Sequence, residues 1–267
     1  MTESLENLET LELAVDDSVA RVHLNRPDKL NAFNETMHRE FQGVLAELAH
    51  RDNIRCLLLT GNGRGFCAGQ DLAERQSNDE KPLDLGDTLD RGFNRSIRLL
   101  KRIKAPIICA VNGVAAGAGA NLALNCDIVV AKYSARFIQS FSSIGLIPDC
   151  NGTWVLPRLV GMARAKAITL MATPVDAEQA ESWGMIYAAV RDEAFDDWVE
   201  ARVEEIARRP TKAMTHIKLL MDESYQNDFD SHLERERDAQ RLCGLSYDFK
   251  EGVAAFNEKR KPQFKGH

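Results

Sequence analysis

The chain has 267 residues, 44% of them hydrophobic and 28% charged. That supports one large packed core, or a core with an appendage, and argues against a disordered chain. A net charge of −6 argues against nonspecific nucleic-acid binding, which needs a basic excess, but leaves room for an anionic small ligand held by a few local cations.

Six cysteines, Cys56, Cys67, Cys109, Cys126, Cys150 and Cys243, are scattered without a C-x-x-C pair or a histidine at ligand spacing. Buried free thiols and no metal site are therefore expected. The first ten residues are acidic and lack an apolar core, which predicts no signal peptide. No apolar run approaches membrane-spanning length. A cytoplasmic protein without membrane contact is the expectation.

In chain order, Thr10–Val15 and Val19–Leu24 predict two short strands joined by a turn at Asp16-Asp17-Ser18. A helix from about Asn34 places Met37, Phe41, Val44, Leu45 and Leu48 on one face. Ile54–Thr60, Pro106–Val111 and Asp127–Ala131 are continuous apolar runs, as in strands buried on both faces. Gly61–Gly69 is a glycine-rich loop, and Asp71–Asp90 is polar, aperiodic and expected to be mobile. Leu89, Phe93, Ile97 and Leu100 restore helical spacing. Residues 117–124 predict a helix rich in small side chains.

Beyond Trp154, Ala163–Met171 predicts a helix. Asp176 is placed to cap a short helix to Ser182, and Met185–Val190 predicts a brief strand. From Phe195 the pattern is helical: Trp198–Ala207, Thr211–Glu223, Ser231–Leu242 and Tyr247–Arg260. Strands alternating with helices predict an α/β fold with parallel pairing over residues 1–194. Residues 195–267 would form a helical region, with a soft boundary near Pro210. No internal repeat stands out.

Two glycine-rich loops follow two buried strands. Gly63-x-Gly65-x-x-Ala68 formally matches a dinucleotide fingerprint, but the sequel is polar and broken by Pro82, where a Rossmann unit needs an apolar helix. Glycines at Gly65, Gly69, Gly113, Gly117 and Gly119 permit close backbone approach. Two such loops could each offer one amide to the same oxygen. They could equally serve only tight turns and close packing.

Phe137–Trp154 contains a single acid, Asp149, in the turn sequence Pro148-Asp149-Cys150-Asn151-Gly152. An isolated carboxylate beside Ile144, Leu146 and Ile147 invites a raised pKa, which suits a group that takes and returns a proton. Taken alone, the stretch fits a plain turn residue better. None of the six histidines lies in a glycine loop or beside Asp149 in sequence, and no catalytic histidine is expected.

Five segments together resemble the crotonase, or enoyl-CoA hydratase/isomerase, superfamily. They are Asn25-Arg26-Pro27 with Lys29-Leu30-Asn31-Ala32, Gly65-Phe66-Cys67-Ala68-Gly69-x-Asp71-Leu72, Asn112-Gly113-x-Ala115-x-Gly117-Ala118-Gly119, Cys126-Asp127-Ile128, and Ile144-Gly145-Leu146-Ile147-Pro148. The resemblance implies a crotonase fold, a spiral of stacked β-β-α units with a C-terminal helical trimerisation region. The segment from Ser140 to Gly161 and the tail from Ser246 to Phe264 further resemble the ring-epoxide isomerases of phenylacetate degradation. That implies conversion of 1,2-epoxyphenylacetyl-CoA to oxepin-CoA, with possible shifts of double bonds in unsaturated acyl-CoAs.

Carried over by position, the resemblance puts the oxyanion-hole amides at Gln70 and Ala118 and the acid of isomerases at Asp149. The two glutamates of hydratases fall at Asn121 and near Phe141, so both carboxylates are missing. Asn121 would orient substrate or only hydrogen-bond locally. Arg26 and Lys29 match positions near the CoA phosphates, the alternative being solvated loop charges. Ala68, Gly69, Gln70, Asp71 and Leu72 match the backbone lining adenine and pantetheine. Phe256 and Lys259 match a helix that covers CoA from a neighbouring subunit, the alternative for Phe256 being core packing. CoA is then part of the substrate and no cofactor or metal is implied. A homotrimer or dimer of trimers is implied, with contact to other phenylacetate-pathway enzymes. Weighed with the glycine loops and the missing glutamates, Asp149 is better read as a proton shuttle than as a turn residue. The rival readings are a hydratase using a different acid and a non-catalytic acyl-CoA-binding scaffold.

Overall fold

The computed structural model describes residues 8–74 and 84–267. The expectation of mobility within Asp71–Asp90 falls in part on residues 75–83, and that of no signal peptide on residues 1–7. Both segments lie outside the described residues.

The chain opens with a hairpin of β1 (Leu11–Asp16) and β2 (Val19–Leu24). Asn34 caps α1 (Glu35–His50) by accepting from the Met37 N–H at 2.9 Å. The apolar face of α1 is buried through the five residues expected from its spacing. There follow β3 (Cys56–Gly61), β4 (Gly65–Cys67), α2 (Leu85–Leu89), a π-helical turn at Asp90–Asn94, and α3 (Arg95–Leu100). Then come β5 (Ile107–Val111), β6 (Val114–Ala116), α4 (Ala118–Leu124), β7 (Ile128–Lys132) and β8 (Arg136–Ile138). The remainder is α5 (Gly152–Met171), β9 (Val175–Asp176), α6 (Ala177–Ser182), β10 (Ala188–Val190), α7 (Phe195–Ala207), α8 (Thr211–Glu223), α9 (Phe229–Gly244) and α10 (Tyr247–Glu258).

One sheet runs β1-β2-β3-β5-β7-β10, parallel except at the β1–β2 hairpin. A second, of short strands, runs β4-β6-β8-β9. Three times the chain lays a long strand in the first sheet and then turns into a short strand of the second: β3 to β4, β5 to β6, β7 to β8. The result is a spiral whose turns stack in register, and a structural repeat that the sequence does not display. Strands of two or three residues carry too little alternation to be seen. That is why Gly61–Gly69, expected as loop throughout, contains β4.

The unbroken apolar runs of β3 and β5 have a physical cause, since both faces are covered. On the outer face, Cys56, Leu58, Ile108, Ala110 and Val130 pack against Phe195, Val199, Val203 and Ala207 of α7. Asp176 caps α6 as expected, accepting from the Gln179 N–H at 2.8 Å. Helix α5 starts at Gly152 rather than Ala163. Pro157 and Gly161 read as breakers, yet the helix absorbs Pro157 and bends at Gly161, where φ is +77°.

Helix α8 is tied to the core by Lys218, whose Nζ lies 2.6 Å from Asp127 Oδ2 and 3.1 Å from the Ala105 carbonyl. Among the described residues, no helix is long and apolar enough to cross a membrane. Because α7 seals the outer face, truncating its fully buried Phe195 to alanine should cost about 3–5 kcal/mol in urea unfolding. A loss below about 1 kcal/mol would mean that α7 does not carry that layer.

Candidate active site

The second sheet brings the two glycine loops together. Strand β4 pairs in parallel with β6, matching Gly65 to Val114 and Cys67 to Ala115. Just beyond, Gly69 (φ +89°) faces the other loop so closely that a Cβ would stand 2.9 Å from the Ala116 oxygen and 3.2 Å from the Ala118 nitrogen. A Cβ on Gly119 would stand 2.2 Å from the Cys67 oxygen. Only glycine fits at either position.

This contact brings the Ala118 nitrogen close to Gly69, the residue before Gln70. The Gly69 carbonyl accepts from the Phe33 N–H at 2.7 Å, and the Asp71 N–H donates to the Phe33 carbonyl at 2.9 Å. Alternation along extended backbone turns the intervening Gln70 N–H to the opposite side. Ala118 opens α4, so its N–H has no partner within the helix. Among the described residues, neither N–H donates a hydrogen bond.

The Gln70 side chain is held in turn. Its Nε2 donates to the Phe33 carbonyl at 2.8 Å, and its Oε1 lies 3.0 Å from His38 Nε2. His38 comes from α1, far from the loop in sequence, and nothing in the linear pattern marks it. Its ring packs on Phe93 and Phe33, with centroids 4.6 and 5.1 Å away.

Arg26 and Asp71, both matched to CoA contacts by resemblance, are paired with each other at 2.9 Å and largely buried. Arg26 also donates to the Ala32 carbonyl. Buried Asn31 accepts from the Arg26 N–H and donates to the Gly65 and Phe66 carbonyls. This cluster braces the segment that carries Gln70. Lys29 and Leu72 are exposed, while Ala68 is half-buried with its N–H on the Leu30 carbonyl.

Asp149 is half-buried in a tight turn that leads into α5. Its carbonyl accepts from the Gly152 N–H at 2.9 Å and from Asn121 Nδ2 at 2.8 Å. Cys150 (φ +50°) and Asn151 (φ +64°) both take left-handed backbone, at a cost of about 1–2 kcal/mol each. Side-chain bonds worth about 0.5–1.5 kcal/mol apiece offset that cost. Asn125 Nδ2 donates to the Cys150 carbonyl at 3.1 Å, and Asn151 Nδ2 donates to Asn125 Oδ1 at 2.8 Å. Asn125 and Gln139 are participants that the sequence does not mark, because lone amides in apolar runs carry no periodic signal, and Asn151 is legible only as a turn residue.

Asn121 points inward and is 0% exposed. Phe141 is buried with its ring beside Gly117. The aliphatic neighbours expected to surround Asp149 face outward in the single chain, Ile147 being 79% exposed. Phe256 is 84% exposed, so it is not part of this chain's core. Lys259 is also exposed, at the left-handed end of α10. Among the described residues, no hydrogen bond or ion pair joins either to the Gln70 loop.

With this geometry in place, the relatives are informative. The sequence profile of the family Enoyl-CoA hydratase/isomerase matches residues 14–267. The chain belongs to the enoyl-CoA hydratase/isomerase family. One family relative is the 1,2-epoxyphenylacetyl-CoA isomerase of Escherichia coli K12, 49% identical over 253 residues, covering 94% of this chain and 97% of that protein. Another is the probable enoyl-CoA hydratase of Rhodobacter capsulatus, 40% identical over 257 residues, covering 96% and 98%. A crystal structure from Mycobacterium abscessus, described as an enoyl-CoA hydratase/isomerase, superposes with a TM-score of 0.92 at 34% identity, covering 96% of this chain and all of that one. The α/β spiral is thus the crotonase fold, as its sequence motifs imply.

In this enoyl-CoA hydratase/isomerase family member, the thiols beside the site are inert. Burial pushes the Cys67 thiol up to about 12. Burial first, and the nearby Asp149 charge second, hold Cys150 well above its ordinary value. Five of the six thiols are buried and Cys243 is half-buried. Thiol titration of the native protein at neutral pH should therefore label no more than Cys243, and all six after unfolding. Rapid native labelling of Cys67 or Cys150 would contradict the packing around the site.

Proposed function

We propose that the protein is an isomerase of CoA thioesters that converts ring-1,2-epoxyphenylacetyl-CoA to oxepin-CoA and also shifts double bonds in unsaturated acyl-CoAs. The observation that carries this reading is the acid inventory: Asp149 stands in an anchored turn, while an inward amide, Asn121, and an aromatic ring, Phe141, occupy the two positions matched to hydratase glutamates. The 49% identity to the Escherichia coli isomerase supports it independently.

In this reading the thioester oxygen accepts from the Gln70 and Ala118 N–H groups. Both bonds strengthen as charge moves onto that oxygen, so they favour the enolate over the bound ester. A thioester already acidifies the neighbouring carbon. Asp149 removes a proton there and returns it elsewhere along the delocalised anion, so one carboxylate suffices. For the ring substrate, the same anion lets the strained epoxide open into the seven-membered oxepin. No atom is gained or lost, and no water is activated.

CoA would lie along Ala68–Leu72, with Lys29 exposed beside it. Arg26 and Asp71 would hold that backbone while Arg26 contributes its charge nearby. Phe256 and Lys259 would cover the CoA of a neighbouring subunit in a trimer. The outward apolar side chains Met221, Phe229, Leu245 and Phe256 of the C-terminal region support such an assembly. The enzyme would work in the cytoplasm alongside other phenylacetate-pathway enzymes.

A hydratase using another acid is the second reading, favoured by the name of the Rhodobacter capsulatus relative. Offering both the ring epoxide and crotonyl-CoA to the purified protein, with products identified by mass and absorbance, separates the two. The expected result is isomerised product and no 3-hydroxyacyl-CoA. Asp149→Asn should lower turnover by about 10²–10⁴-fold while thioester binding persists. Efficient hydration of crotonyl-CoA, or near-normal turnover by Asp149→Asn, would overturn the proposal.

A further inference from the structure

The amide of Ala118 and the side chain of Asn121 leave one short helix three residues apart. Residues so spaced share a helix face, roughly 4.5 Å apart along the axis. Asn121 uses both ends of its amide. Its Nδ2 donates to the Asp149 carbonyl at 2.8 Å, and its Oδ1 accepts from Gln139 Nε2 at 2.8 Å. Gln139, 1% exposed, directly follows β8. The last residue of β8, Ile138, accepts through its carbonyl from the Gly117 N–H at 2.8 Å. Gly117 immediately precedes Ala118. The connections therefore close into a ring, from Gly117 through Ala118 to Asn121 and back through Gln139 and Ile138, with the Asp149 turn held as a branch from Asn121.

The ring has no slack. Asn121 is fully buried, and the Gly152 backbone abuts its amide so closely that a Cβ there would stand 2.1 Å from Nδ2. The chemistry also requires amides. Asn121 must accept from one partner and donate to another at the same time, which a carboxylate cannot do.

We propose that Gln139 and Asn121 are positioning residues: their amide relay fixes the Asp149 turn at a set distance from the Ala118 N–H. The proton shuttle and the group that stabilises the enolate are thereby gauged from the same turn of α4. Neither side chain touches substrate. The relay also occupies, with neutral groups, a position where an acid could orient water, so it favours proton transfer within the substrate over hydration. The proposal rests on Asp149 acting as the proton shuttle.

Asn121→Asp tests it with an isosteric change. The aspartate can still accept from Gln139 but cannot donate to the Asp149 carbonyl. Gln139→Glu removes the other donor. Each variant should lose about 10- to 100-fold in kcat with KM for the CoA thioester unchanged, as expected for a displaced catalytic group. A purely structural role would instead lower the thermal midpoint and the folded fraction, leaving kcat per folded site intact. Asp149→Asn, assayed in parallel, separates the two levels. If it is inactive while both relay variants, folded by circular dichroism, keep wild-type kcat, the relay proposal is wrong and the shuttle stands. If one relay variant fails to fold, the kcat of the other decides. If Asp149→Asn turns over normally, both ideas are overturned.

Discussion

Everything at this site depends on two backbones touching where only glycine allows it. Gly69 presses on the Ala116–Ala118 segment, and Gly119 presses on Cys67. A Cβ at either position would collide with the facing backbone and force it aside. The contact presents two backbone N–H groups that the rest of the chain leaves without acceptors among the described residues. The short β4–β6 pairing, the braced Arg26–Asp71 pair and the many bonds of Asn31 all serve to hold that contact.

The charges and amides are distributed in a way that follows from burial. Buried polar groups need partners, and here they find them in the loops that matter. Arg26 and Asp71 neutralise each other at the base of one loop. Asn121, Asn125 and Asn151 bond to one another and to the carbonyls of the Asp149 turn, and Gln139 adds a donor to Asn121. Two left-handed residues in succession, Cys150 and Asn151, are tolerated because this network over-determines their conformation. The turn is thus a rigid mount, and its one acid is carried on it.

What the sequence discloses is what burial writes into it. Strands β3 and β5 are legible as continuous apolar runs because α7 and the spiral cover both their faces. Helix α1 is legible because its inner face is strictly periodic. The second sheet is not legible, since its strands are two or three residues long. Nor are the partners of the site residues. That Asn121 grips the Asp149 carbonyl, that Arg26 pairs with Asp71, and that His38 meets Gln70 are contacts between distant elements, which spacing alone cannot encode. Position-matching by family motif assigns tasks to Gln70, Ala118 and Asp149 but leaves Asn121 without a defined one. Phe256 shows the same boundary from outside. Its place in an apolar helical pattern fits a core residue, yet it faces solvent in the single chain.

In the proposed reaction the Gln70 and Ala118 amides share one substrate oxygen while Asp149 faces the carbon chain beside it. A crystal structure with a bound acyl-CoA analogue tests it most directly. The thioester oxygen is expected at about 3 Å from both amide nitrogens, with the Asp149 carboxylate turned toward the acyl carbons. A thioester oxygen bound away from that amide pair, or an acyl chain that leaves Asp149 facing bulk solvent, would contradict it.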